Sequence, residues 1–177
     1  MKKILLFCLL GCIQLYSQDQ EIDSLNVQKL EEVLVSSVRV NEDIPMAFTN
    51  VSKDQIEERN LGQDLPILLN FLPNVVTTSD AGAGIGYTAI RIRGINAQST
   101  NVTINGIPYN DAESLGTFWV DLPDFSSSVE NLQVQRGIGT SVNGSSAFGA
   151  SINILTDKIS KDPFFESNNT FGSYNTF

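Results

Sequence analysis

Chemistry in this chain would have to proceed without imidazole, because its 177 residues include no histidine. The two cysteines, Cys8 and Cys12, lie in the first apolar run, so a chain that loses that run carries no thiol. Ser–His and Cys–His catalysis, and zinc sites built on either residue, are thereby excluded for the mature chain. Carboxylates remain. Asp111 and Asp121 come nearest to a hydrolase pair, but they share no rigid element. Gly82-Ala83-Gly84-Ile85-Gly86 invites a phosphate-loop reading. Its spacing is wrong, and a strand rather than a helix follows it, so no helix amino terminus is available to cradle an anion. A mobile surface loop is expected there. No catalytic, metal or cofactor site is expected anywhere in the chain.

Binding is left as the business of the protein, and composition narrows the partner. The formal net charge is -9, from 11 basic and 20 acidic residues, which argues against nucleic acid and its need for a basic footprint. Hydrophobic content of 41% allows a core, and 13 glycines suit a loop-rich, strand-containing domain.

Met1-Lys2-Lys3 and the unbroken apolar run Ile4 to Leu10 precede the small Ser17 and the polar Gln18-Asp19-Gln20-Glu21. This is the pattern of a secretory signal peptide over residues 1–17, cleaved after Ser17. The run falls short of the roughly 20 apolar residues that span a bilayer. Leu9-Leu10-Gly11-Cys12 also resembles a lipobox, which would make Cys12 a lipid anchor.

The elements that must position any binding residues follow. Residues 18–44 are expected to form a flexible leader, with Val33, Val35, Val38 and Val40 favouring an extended segment within it. Removing Gln18 to Asn41 is expected to leave stability nearly unchanged. A short strand at Phe48–Val51 leads into Ser52-Lys53-Asp54-Gln55, whose spacing is that of a capping box, and so into a helix over Lys53–Arg59. Leu65, Leu68, Leu69 and Leu72 recur at helical spacing, predicting a second helix over Gln63–Leu72 that Pro73 stops. Strands are expected at Val75–Thr77, Thr88–Arg93, Asn101–Ile104, Val129–Arg136 and Ala150–Thr156. Asn105-Gly106 is the turn of a hairpin. In Val129–Arg136 the apolar residues alternate with Glu130, Gln133 and Gln135, which are expected to face outward. The result is an α+β domain over residues 45–157, a small mixed sheet with two short helices. Phe164 to Phe177 alternates loosely and stops without a cap.

Three stretches, in order and with matching spacing, carry a resemblance: LEEVLVSS from Leu30 to Ser37, TAIRIRGINAQSTNVTINGIPYND from Thr88 to Asp111, and LPDFSSSVENLQVQRGIGTSVNGSSAFGASINILT from Leu122 to Thr156. They resemble the TonB box, central plug motif and carboxy-terminal plug signature of TonB-dependent outer-membrane receptors of the Bacteroidetes type. The resemblance implies a plug inside a transmembrane β-barrel of about 22 strands, whose first strand would begin in residues 158–177. It implies that TonB, with its inner-membrane energising complex, grips Leu30, Glu31, Glu32, Val33, Leu34, Val35 and Ser36. An extended β-branched segment suits such a grip, because strand addition uses main-chain hydrogen bonds. The competing reading makes Val33–Val40 an ordinary edge strand.

Further residues follow from the resemblance alone. Those matching Arg93 and Arg136 would meet carboxylates on the inner barrel wall, although Arg136 could instead pair internally with Glu130. Loop-to-loop matching places Asp80, Gln98, Ser99, Phe118 and Trp119 toward the ligand; Phe118 and Trp119 could equally pin their own loop. The implied cargo is a metal chelate such as an iron–siderophore or ferric citrate, with cobalamin as the alternative. The outward loops hold Asp80, Asp111 and Glu113 and no cation, so an anionic chelate would need arginines from elsewhere. A surface lipoprotein anchored at Cys12 is the competing class. A glycan importer fits less well, because the leader is too short for an additional domain.

Overall fold

The computed structural model describes residues 38–139, 143, 147–160, 162–167, 169, 171 and 173. The signal segment 1–17, Cys8, Cys12 and the Leu30–Ser37 box lie outside them.

β1 (Ala47–Ser52) runs into helix α1 (Lys53–Glu57), and the predicted capping box is formed: the Gln55 amide donates to Ser52 Oγ, and the Ser52 amide donates to Gln55 Oε1. The second helix is shorter than its leucine spacing suggests. α2 covers Leu65–Leu68, followed by a 3-10 turn over Leu69–Phe71. Gln63 is outside because its side chain is engaged locally, accepting from Leu61 N and donating to Arg59 O. Leu72 is extended, with ψ 144, as the residue before Pro73 must be.

β2 (Val75–Ser79) and β3 (Thr88–Ile92) form a separate antiparallel hairpin. β4 (Thr100–Ile104), β5 (Ile107–Pro108), β6 (Val129–Arg136) and β7 (Ala150–Thr156) join β1 in a five-stranded mixed sheet of order β1-β6-β7-β4-β5, in which only β4 and β7 are parallel. Asn105 (φ 51) and Gly106 (φ 81) are both left-handed, as the tight β4–β5 turn requires. The core lies between one sheet face, the two helices and the β2–β3 hairpin, and includes Ile56, Leu65, Leu69, Ile92, Leu132 and Ile152. Helix burial therefore follows the leucine pattern even where helix length does not.

Two expectations about the sheet are corrected. Gln133 and Gln135 do not face water; they are 2% and 0% exposed. The domain also begins before Pro45, because Val38 and Val40 are 5% and 4% exposed and their backbone is held by those same glutamines. Val38 is helical and Arg39 bent, so the extended segment expected through Val40 does not reach these two residues. Deletion through Asn41 is therefore expected to be costly. It exposes the ground beneath two valines, at about 1.5 kcal/mol each, and strips partners from buried amides. The melting temperature of this chain should fall by roughly 10 °C, read by circular dichroism. An unchanged melt would mean that residues 38–41 do not pack on the sheet.

Among the described residues after Thr156, none is in a strand, and Phe164, Phe165 and Phe171 are exposed. An alternating segment without a neighbour has no ladder to join.

Candidate functional site

At one end of the main sheet, β6 ends at Arg136, β7 starts at Ala150 and β4 starts at Thr100, directly after the 3-10 turn Ala97–Ser99. The amide of Gly149 donates to Ser99 O at 2.8 Å and ties this turn to the start of β7. Beside it opens a cleft of about 420 Å³ lined by Arg91, Gly94, Ile95, Asn96, Ser99 and Phe148. Of the expected ligand residues, Ser99 lines the cleft. Gln98 is exposed next to it in sequence, while Asp80 and Phe118 are exposed on other loops and do not line it. A larger opening, of about 620 Å³, is lined by Lys158, Ile159, Ser160, Asp162, Pro163 and Phe164 and contains none of the expected residues.

Trp119 is a correction. Its ring is 2% exposed and belongs to the core, so it anchors the loop between β5 and β6 and is not presented to a ligand. The adjacent Phe118 is 48% exposed. The sequence reading missed Arg91 and Phe148 as cleft residues. Arg91 was legible as an outward position in the alternating β3, and Phe148 as a lone aromatic in a Gly- and Ser-rich stretch. Arg91 gives this cleft a cation.

Arg93 and Arg136 come together at the same end. Arg93 lies just past β3 in left-handed conformation (φ 55), its amide donating to Asn74 O. A Cβ on Gly137 would come within 3.1 Å of its guanidinium, so glycine there keeps room for it. Arg136 donates both terminal guanidinium nitrogens to Thr49 Oγ1, one at 3.1 Å. Burial and the charge of Arg93 both push the Arg136 pKa down. Among the described residues no carboxylate pairs with either arginine, Glu130 included. Two guanidinium groups thus share one corner with no counter-charge among the described residues.

The other candidate chemistries resolve into structure. Asp111 closes a turn: its carboxylate accepts from Ser114 N at 2.6 Å and from Glu113 N at 3.2 Å, and these bonds hold its pKa below the usual carboxylate range. Asn110 clamps the same loop, accepting from Val102 N and donating to Thr100 O and Leu115 O. In the glycine-rich loop Gly82, Gly84 and Gly86 all have positive φ, and Gly84 O accepts from the Asp64 amide ahead of α2. That loop is a strand connection, and one of its carbonyls is pinned to a helix start.

Over most of its length the chain is similar to the vitamin B12 transporter BtuB of Vibrio vulnificus, 29% identical across 83% of the chain and 24% of that protein. It is also similar to the ferrienterobactin receptor of Escherichia coli, 25% identical across 89% of the chain and 22% of that protein. The chain thus spans about a quarter or less of the length of these relatives. Among solved structures, the siderophore receptor PirA of Acinetobacter baumannii superposes with a TM-score of 0.48 at 22% identity, covering 64% of this chain and 17% of that one. A ferric enterobactin receptor of Pseudomonas aeruginosa bound to enterobactin gives 0.49 at 25% identity, covering 66% and 18%. The family described as TonB-dependent Receptor Plug Domain matches residues 40–151, more than half the chain, and the chain belongs to that family.

Proposed function

We propose that this chain serves as the plug-bearing part of an outer-membrane receptor that imports a metal chelate, an iron–siderophore or ferric citrate, with TonB and its inner-membrane complex supplying the energy. The observation that carries the reading is the plug-family match over residues 40–151. The outer membrane lies away from nucleotide and ion-gradient supplies, so uptake against a gradient has to be driven through a partner that reaches across the periplasm. In this reading Leu30–Ser36 is the gripped segment. The cleft beside Ser99, with Arg91 and the exposed Phe148 in its wall, gives the plug's share of the ligand surface, together with Asp80, Gln98 and Phe118. A cation beside an aromatic ring suits an anionic chelate with aromatic or carboxylate donors. The unpaired Arg93–Arg136 corner suits carboxylates on a surrounding barrel wall. A polar, hydrated contact of that kind lets a plug be moved without tearing a dry core.

Cobalamin is the second reading, favoured by the likeness to a vitamin B12 transporter. One experiment separates the two. Uptake of radioiron as ferric enterobactin and ferric citrate, and of radiocobalt as cobalamin, is measured in wild-type and receptor-deleted cells, with and without a protonophore. An iron chelate should be taken up only by receptor-bearing, energised cells. Loss of cobalamin uptake alone would move the cargo to the second reading. Unchanged uptake of all three on deletion would overturn both.

A further inference from the structure

Among the described residues, five other than glycine have a left-handed backbone: Asn74, Arg93, Asn105, Leu115 and Asp124. In that conformation Cβ crowds the following carbonyl oxygen, and asparagine and aspartate tolerate it best because their short side chains bond locally. Three of the five are of that kind. Arg93 belongs to the corner already described. Leu115 (φ 58) is the one aliphatic residue in the set, and it is also 50% exposed and outside the core. Gly116, next in the chain, could take this conformation without strain and does not. Leu115 therefore carries two costs at once, a strained backbone and an apolar side chain in water.

The surrounding loop holds that strain in place. Asp111 N donates to Gly116 O at 2.8 Å and Leu115 N to Asp111 O at 2.9 Å, while the Asp111 carboxylate accepts from Glu113 N and Ser114 N. Asn110 ties this turn to the sheet. Its Oδ1 accepts from Val102 N at 2.8 Å, and its Nδ2 donates at 2.9 Å to both Thr100 O and Leu115 O. One amide group thus spans the carbonyls of Leu115 and of the first β4 residue. The residue before Thr100 is Ser99, which lines the cleft of about 420 Å³ with Arg91 and Phe148. Leu115 is outside the walls of that cleft but is anchored at the same end of the sheet. Strain that its surroundings over-determine points to a contact made outside the domain.

We propose that Leu115 is a specificity-determining contact, held out by Asn110 and Asp111 to meet an apolar face of an iron chelate seated in the Ser99 cleft. The proposal deepens the ligand reading above and rests on it. It also narrows the class of cargo. Arg91 takes the anionic part of the chelate, while Leu115 and the 63% exposed Phe148 offer their surface to aryl or hydrocarbon groups. A chelate with such groups gains from Leu115, and a wholly polar one such as ferric citrate gains nothing. Asn110 and Asp111 are positioning residues that act through Leu115.

Leu115→Gly and Leu115→Asn both remove the apolar contact and both accept a left-handed backbone, so the loop keeps its shape. Equilibrium binding of radioiron as ferric enterobactin, an aryl chelate, and as ferric citrate is measured on the full-length receptor in outer-membrane vesicles. Each variant should bind ferric enterobactin about tenfold more weakly than the wild type, with ferric citrate binding unchanged and no fall in the thermal midpoint. Leu115→Met, which keeps an apolar side chain, should bind ferric enterobactin nearly as well as the wild type. Wild-type affinity for ferric enterobactin in both the Gly and Asn variants overturns the Leu115 contact and leaves the cleft and its cargo standing. Equal weakening of both chelates, or a lowered midpoint, overturns it in favour of a structural loop. A wild-type receptor that binds ferric citrate and not ferric enterobactin overturns it too, because that cargo has no apolar face. A wild type that binds neither removes the chelate reading itself and this contact with it.

Discussion

Proline at Leu34 or Val35 in the full-length receptor is expected to reduce uptake to background while ligand binding at the cell surface stays at its normal level. Proline removes one backbone donor and fixes φ, and strand addition depends on donors of that kind along an extended chain. Val35→Ala keeps the backbone and should transport nearly as well as the wild type. Surface binding is spared because the residues proposed to face the ligand, Asp80, Gln98, Ser99 and Phe118, belong to separate loops of the folded domain. Uptake and binding of the same radiolabelled chelate are measured in the same cells. Normal transport by either proline variant would show that Leu30–Ser36 is not where the energy enters. Loss of binding together with uptake would show that the segment is structural.

Gly149→Ala should be the most damaging single methyl group in the domain. A Cβ at that position would lie 2.7 Å from Ile95 Cβ and 3.0 Å from Ile95 Cγ1, and closer still to Cγ2. The obstruction is a β-branched side chain next to the backbone, with little freedom to swing away. Overpacking of this severity costs about 3 kcal/mol. The same glycine donates its amide to Ser99 O, so a shift at this point also moves the turn that lines the cleft. Denaturant unfolding of Gly149→Ala, Ile95→Ala and the double variant makes a cycle. The double variant should recover most of the loss, giving a coupling of about 2 kcal/mol. Additive effects would mean that the two residues do not meet.

Much of this fold was legible because its signals are local. The Ser52/Gln55 capping box, the Asn105-Gly106 turn and the leucine stripe from Leu65 to Leu72 each depend on a few neighbouring residues; the first two formed, and the stripe is buried although its α-helix ends at Leu68. What was missed depends on distant chain. Gln133 and Gln135 read as solvent-facing, because alternation gives the faces of a strand and cannot say that both are covered. The hint was chemical: a strand face meant for water usually carries charge, and Gln133, Gln135, Ser151 and Asn153 carry none. Trp119 stood in a polar loop, and sequence could not show whether its ring turned in or out. Arg93 and Arg136 were picked out by resemblance to a family motif. Their convergence in one corner required a tertiary structure, since they come from different sheets.

The first residues of this domain close on some of the last. Val40 is bonded to Gln133 across 93 residues, Val38 to Gln135 across 97, and the edge strand β1 pairs with β6 across a similar span. A chain that emerges from a channel amino terminus first therefore presents residues 38–52 long before their partners exist. Loop closure over such distances has to wait for synthesis of β6 and then pay its entropy at once. In the interval the leading segment has no native contact on that sheet to make, and the α2 and β2–β3 region can assemble ahead of it from neighbouring sequence. Order of appearance and order of folding are thus reversed for the amino-terminal strand: the part of the domain made first is the last to find its place.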